Sequence, residues 1–315
     1  HHWDAGVLGT LINQHLKKIR TKKIPHAWTP HELGRLLLKD NHSEDFNKII
    51  KFNSLDERLQ HEEDILSDID AFVSTSFKIS ASLEEYKNKP RKSVWFPPGV
   101  RTSNMKPRKI EECKKSINLL MELTNKSEEE VIDMINKNTF FFETSRTSKT
   151  KQKDMILKSF LQLKNKDSIL VMNVDPTAEY YKELEEIHLK ANDPRIIFID
   201  RYMTDEEKHH LFSLADVYIT ASLIEGWGMS VQEASASGCA IIASKDVPFA
   251  TEVLQDSALM VVEHSVDNYA EKMGLLADNP ELTKEYAQKS YKIFMKEDFS
   301  WDNLSENMVL EVVNN

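Results

Sequence analysis
Short runs rich in β-branched and aromatic residues alternate with amphipathic stretches over most of the chain. In the carboxyl-terminal part the apolar runs fall at 139–144, 168–174, 196–199, 216–220, 240–243 and 258–262. They read as buried strands. Helical periodicity fills the gaps at about 151–164, 178–190, 204–214 and 230–237, and Thr204 with Glu207 forms a helix-start signal. Strict β/α alternation predicts a parallel, doubly wound sheet. Three further helices follow at 267–277, 280–295 and 301–313, the second opened by Asn279-Pro280.

The first hundred residues are sparser. A helix is predicted from Val7 to Ile19, strands at 26–29, 71–75 and 93–96, and a charged helical segment over 44–67 with Ser54 and Glu57 as a capping box. A short helix starts at Ser82, and Pro97-Pro98-Gly99 closes the region. Residues 101–137 read as a polar, helix-prone connection with a capping box at Ser127 and Glu130. The expected layout is an amino-terminal domain over 1–100, the connection over 101–137 and a second domain over 138–290. Helices at 291–315 would pack back on the first domain.

The chain is organised around 216–254. Here a strand at Asp216–Thr220 leads into a loop with Gly226 and Gly228, then a helix over 230–237 stopped by Gly238, then a second strand. In such a unit the loop lies at the carboxyl ends of parallel strands, where open α/β sheets bind ligands. The junction through Gly226, Gly228, Met229 and Ser230 presents free N–H groups and the positive end of a helix, which suits a phosphate. Glu225 in the loop can reach a sugar, and Glu233, one turn into the helix, can accept from a diol such as a ribose.

The residues E-G-W-G-M-S-V-Q-E-A-S-A-S-G, with seven positions between Glu225 and Glu233, resemble the E-x7-E signature of retaining glycosyltransferases with two Rossmann-like domains. The likeness is to glycosyltransferase family 4, the group that includes sucrose-phosphate synthase. His1-His2-Trp3-Asp4-Ala5-Gly6 resembles an H-x-W-D-A-G element, and Pro30-His31-Glu32-Leu33-Gly34 an H-S-L-G loop. Arg146 and Lys151 resemble a G-R-x4-K element, with Ser145 in place of the glycine and Phe160 at the family's helix phenylalanine. The resemblance implies an α/β fold of GT-B type, two doubly wound parallel sheets facing a cleft. The Gly-rich loop that normally opens the first domain is missing, so about half of that domain is expected to be absent.

The resemblance also implies roles. Glu225 orients the donor sugar, Glu233 holds the ribose, Arg146 and Lys151 stabilise the departing diphosphate, and His31 bonds a hydroxyl of the sugar or acceptor. Lys149 competes with Lys151 for its role. Tyr202 follows a strand and is placed near the base. Trp3, Asp4 and Gly6 line the acceptor side, and an exposed turn explains Asp4 and Gly6 equally well. Arg58 binds acceptor, or simply pairs with Glu62 at i, i+4. Trp227 is assigned to packing, and Val247-Pro248-Phe249 replaces a small Gly-rich turn before Glu252.

Composition narrows the class. At 315 residues the chain accommodates two domains, and its net charge of −10 gives no general attraction for nucleic acid or anionic lipid. No apolar run is long enough to span a membrane. Cys113 and Cys239 read as unpaired cytoplasmic thiols. No cofactor and no metal are expected, because cations already face the phosphate and no Asp-x-Asp pair lies nearby. The nucleotide sugar, UDP-glucose or GDP-mannose, is a co-substrate, and the acceptor is small and hydroxylated, with or without a phosphate. The alternative is a nucleotide-sugar-binding protein without turnover, and the oligomeric state stays open.

Overall fold
A computed structural model describes residues 3–19, 21–31, 33–36 and 55–308, with the side chains of residues 3, 4, 307 and 308 excluded. The Ser54 half of one predicted capping box, Glu32 and the segment 309–313 lie outside the described residues. By contacts the chain divides into a unit of His1–Gly99, Ile224–Trp227 and Trp301–Asn315, and a unit of Val100–Leu223 and Gly228–Ser300.

The first unit holds a three-stranded parallel sheet of order β1-β2-β3, from Ala27–Trp28, Ala71–Ser74 and Ser93–Trp95. Helix α1 (Trp3–Lys18) precedes it, α2 (Leu55–Asp68) leads into β2, and α3 (Phe77–Ser82) follows β2. Trp28, Ile65, Phe72 and Ile79 are buried in its core. The W-D-A-G segment is not a turn, because α1 already begins at Trp3. A Cβ on Gly6 would lie 2.7 Å from Ile65 Cδ1 and 3.0 Å from Trp28 Nε1, and one on Gly9 would lie 2.4 Å from His26. The two glycines let α1 settle onto its neighbours, and that close packing holds the segment helical. Gly6 is therefore a buried packing position.

The second unit holds a six-stranded sheet, parallel throughout, of order β6-β5-β4-β7-β8-β9. Its strands are Thr139–Glu143, Ser168–Asn173, Ile196–Ile199, Val217–Thr220, Ala240–Ser244 and Leu259–Val261, numbered β4 to β9 in chain order. Phe140, Phe141 and Phe142 are all buried because helices cover both faces. Phe141 meets Phe160 at 6.2 Å on one face, and Phe142 meets Phe212 at 5.2 Å on the other.

Residues 101–137 do more than connect. Helices α4 (Lys114–Thr124) and α5 (Glu128–Lys137) belong to the second unit and bury Ile117, Leu120 and Val131. The predicted box at Ser127 and Glu130 forms. Helix α6 (Lys153–Leu161) starts after a 3₁₀ turn at Lys149–Lys151. Then come α7 (Tyr181–Ala191), α8 (Asp205–Leu214), α9 (Met229–Ala236), α10 (Val266–Ala277), α11 (Pro280–Glu297) and, in the first unit, α12 (Trp301–Met308). The helix expected to start at Ser82 instead ends there, followed by a 3₁₀ turn at Leu83–Glu85, and the chain after β8 also departs from expectation. After β8 the chain makes a π-helical turn at Phe249–Leu254, opened by Pro248.

Candidate functional site
Strand order reverses between β4 and β7, since β5 and β6 extend one way from β4 and β8 and β9 the other. Crossovers leave in opposite directions there, so the loops after β4 and β7 part and open a crevice at the carboxyl ends. The loop after β4 carries Arg146 and Lys151. Its 3₁₀ turn is fastened to the chain leaving β7, because Leu223 N–H donates to the Thr150 carbonyl at 2.8 Å. Two residues later the sequence reaches Glu225.

Gly226 and Gly228 are required for different reasons. Gly228, the N-cap of α9, has φ 101°, in the left-handed region, and a Cβ there would also lie 2.4 Å from Val247 Cγ1. At Gly226 the reason is steric: a Cβ would lie 1.9 Å from the His31 carbonyl oxygen. His31 thus stands beside the Glu225 loop within the first unit, exposed, and Thr75 donates its hydroxyl proton to the Gly226 carbonyl at 3.4 Å. Trp227 is buried and lies 6.3 Å from the Trp95 ring, in keeping with packing.

In the second unit Met229 is exposed and Ser230 half-buried at the start of α9. Glu233, one turn on, is nearly buried and accepts from Lys208 Nζ of α8 at 3.0 and 3.3 Å. Burial raises the Glu233 pKa, and the Lys208 ammonium works against that rise. Lys208 lies 25 positions away in sequence, and nothing in the sequence pattern pointed to it.

The cluster of cations after β4 separates by environment. Arg146 is exposed and lines an open cleft of about 550 Å³ with Thr144, Ser148, Asn173 and Asp175. Lys149 is drawn to α7, where it pairs with Glu183 and lies 4.5 Å above the Tyr180 ring. Lys151 is only 5% exposed. Gln152 follows with φ 46° and ψ 46°, a left-handed residue at the N-cap of α6. A larger cleft, about 810 Å³, lies at the opposite edge of the sheet, where Thr139, Asp167 and Asp216 lead into β4, β5 and β7. Size therefore does not locate the site. The switch point and the helix N-termini mark the carboxyl edge, because partial positive charge gathers there.

The remaining predicted positions differ in their surroundings. Tyr202 is 83% exposed and stands in solvent after β6. Trp3 and Asp4 are helical, and their side chains lie outside the described residues. Arg58 is buried and donates to Glu62 at 2.8 Å, which is the ion-pair side of its two readings. Burial also raises the pKa of both cysteines, Cys113 to about 11, so neither thiol is an activated nucleophile.

Comparison with known proteins gives this geometry a setting. The sequence pattern of the family described as Glycosyl transferases group 1 matches residues 125–293. Mannosylfructose-phosphate synthase of Agrobacterium fabrum is 25% identical over 257 residues, 76% of this chain and 51% of that protein. The chain thus spans about half the length of that curated relative. Among solved structures, sucrose-phosphate synthase from Thermosynechococcus elongatus superposes with a TM-score of 0.77 at 18% identity, over 98% of this chain and 70% of that one. The Anabaena protein HepE in complex with UDP-glucose gives 0.76 at 14% identity, over 100% and 77%. The fold is of GT-B type, as the E-x7-E resemblance implied.

Proposed function
Because the chain belongs to the glycosyl transferases group 1 family, we propose that it is a retaining, metal-independent hexosyltransferase. The donor is a nucleotide sugar, UDP-glucose or GDP-mannose, and the acceptor a small hydroxylated molecule, plain or phosphorylated. Glu233 receives the ribose hydroxyls. Glu225 orients the hexose, and His31 bonds a hydroxyl of the hexose or acceptor. Arg146 and Lys151 neutralise the diphosphate as it leaves, with the N-terminus of α9 adding its dipole. Lys149 is set aside because its ammonium is spent on Glu183 and the Tyr180 ring.

In the reaction the bond from the anomeric carbon to the diphosphate oxygen breaks. The acceptor oxygen bonds to that carbon from the same face, and its proton passes to the departing phosphate oxygen. No protein nucleophile is needed. What supports this reading most is one observation: the Thr150–Leu223 hydrogen bond sets the cation-bearing turn beside the chain that runs into the two glutamates, at the switch point of the sheet. The two buried, unpaired cysteines agree with a cytoplasmic enzyme.

Calorimetric titration with UDP and GDP tests the donor side. Release of nucleoside diphosphate from a panel of sugar nucleotides, with candidate acceptors and with EDTA, tests transfer and metal independence. The proton coupling constant of the product's anomeric centre tests retention. Binding without release would leave a nucleotide-sugar-binding protein, and an inverted product would overturn the same-face mechanism.

A further inference from the structure
The loop over 144–152 holds Arg146 and Lys151, and a buried ion pair closes its base. Glu143 is the last residue of β4 and Lys153 the first of α6. Both side chains are 0% exposed, and Lys153 Nζ lies 2.7 Å from Glu143 Oε2. The other carboxylate oxygen accepts from Ser145 N–H at 2.9 Å. The Lys153 ammonium also donates to the carbonyl of Asn173, the last residue of β5. One anion and one cation therefore join the ends of two strands, the first part of the loop and the start of the helix beyond it.

Such a pair is an expensive way to fill space. Withdrawing both charges from water costs more than their attraction commonly returns, and apolar side chains of similar volume usually serve stability as well. Burial pulls the Lys153 pKa down, and the Glu143 charge only opposes that pull. Apolar side chains could not, however, bond the Ser145 amide or the Asn173 carbonyl. Directional bonds fix where the chain leaves β4 and where it enters α6. Between those points Gln152 is held in the left-handed region, a conformation that a non-glycine residue keeps only where its surroundings dictate it.

We propose that Glu143 and Lys153 act as a positioning pair, fixing the 144–152 loop so that Arg146 and Lys151 meet the donor diphosphate while the pair itself never touches the donor. The ligand in this statement rests on the glycosyl-transfer reading. The clamping of the loop does not.

The test is the double variant Glu143→Met/Lys153→Met in the full chain, with three readouts: unfolding midpoint, amide hydrogen exchange over 144–152, and affinity for UDP and GDP set against the matching free nucleosides. The expected result is a midpoint unchanged or higher, loop exchange at least tenfold faster, and nucleoside diphosphate affinity at least tenfold weaker with nucleoside affinity unchanged. A merely space-filling pair would move neither the loop exchange nor the diphosphate affinity. Unchanged loop exchange in the folded variant overturns the proposal, as does unchanged diphosphate affinity with a loosened loop. Should the double variant not fold, Glu143→Gln keeps the volume and removes the charge. It is expected to speed loop exchange and weaken diphosphate binding in the same pattern, and the parent's values in that variant overturn the proposal. A parent chain that binds neither UDP nor GDP defeats the glycosyl-transfer reading, and the exchange result then decides the clamp alone.

Discussion
Glu62 in the first unit and Glu143 in the second are both fully buried carboxylates beside a loop that leaves a parallel strand. Glu62 reaches out from α2. It accepts from Arg58 at 2.8 Å, from Gly34 N–H at 3.1 and 3.0 Å through its two oxygens, and from the Tyr86 hydroxyl. Glu143 sits at the end of its own strand, where it accepts from Ser145 N–H and pairs with Lys153. In each case a backbone N–H that has left the ladder needs a new acceptor, and a buried N–H without one is costly. The same requirement is met by a neighbouring helix in one unit and by the strand itself in the other. The difference lies in how many partners depend on the anion: three for Glu62 and two for Glu143.

The largest expected effect follows from that count. Glu62→Leu takes the acceptor away from Arg58 Nε, the Gly34 amide and the Tyr86 hydroxyl, and it should cost about 3–5 kcal/mol in urea unfolding. The pair deletion Arg58→Met/Glu62→Met removes the charges but still leaves the amide and hydroxyl unanswered. It should cost about 1–3 kcal/mol, whereas Glu143→Met/Lys153→Met should be near neutral, because the Ser145 amide and Asn173 carbonyl it releases belong to half-buried residues that water can reach, while Gly34 is buried. Equal stability for the two double variants would break the comparison, because it would mean that the extra polar partners of Glu62 carry no weight.

What the sequence made legible follows the same line. The Arg58–Glu62 pair was visible because i, i+4 is a helical spacing. The Ser127 and Thr204 boxes were visible because their reach is three residues. The doubly wound sheet was visible because strands buried on both faces are apolar at every position, as in Phe140–Phe142. The Glu143–Lys153 pair spans ten positions across a loop, and Lys208–Glu233 spans 25 between helices. Neither distance belongs to any periodicity. The four cations Arg146, Lys149, Lys151 and Lys153 look alike in sequence, and only their surroundings sort them. The turn expected at W-D-A-G is helix because close packing of Gly6 on Trp28 and Ile65, remote in sequence, overrides the local signal of that glycine.

A third carboxylate, Glu233, extends the comparison to a group that is buried yet proposed to face a ligand. Glu233→Ala should weaken nucleoside binding by about 1.5–3 kcal/mol, the worth of hydrogen bonds to a charged acceptor. The carboxylate must be ionised to accept from a diol, and burial raises its pKa from 4.5. Nucleoside affinity should therefore fall as pH drops toward that raised value, before an ordinary glutamate would titrate. Removing the opposing cation with Lys208→Met raises the pKa further, so the fall should begin at higher pH. Titration of the free nucleoside avoids the phosphate's own ionisation. A flat profile would return Glu233 to the structural class of Glu62.

Gly226→Ala probes the loop that Glu62 holds at Gly34. The added methyl would lie 1.9 Å from the His31 carbonyl oxygen, and backbone has less room to give than a side chain. A cost of about 1–3 kcal/mol is expected, as for other overpacked sites. If Glu62 fixes this loop, the penalty should shrink in the Glu62→Leu background, since a loosened loop can move aside. Strict additivity of the two variants would show that the Glu62 clamp ends at Gly34.

The smallest effect belongs to a carboxylate whose partners, Arg201 and Thr204, reach the surface. Glu207 caps α8 with Thr204 and pairs with Arg201 at 2.9 Å, and the Arg201 guanidinium brings its pKa down from 4.5 to about 2. A depressed carboxylate pKa means stability that is complete above the unfolded value and lost as pH falls through the folded one. Its share of stability should therefore be whole above pH 4.5 and disappear by about pH 2. Glu207→Ala should cost about 1 kcal/mol at neutral pH, the scale of a helix cap with a partly exposed ion pair. The gap between parent and variant should close over that acid window. Arg201→Met should shift the closing upward, because without the guanidinium the carboxylate protonates sooner. A gap that persists to pH 2 would mean that Glu207 contributes through packing.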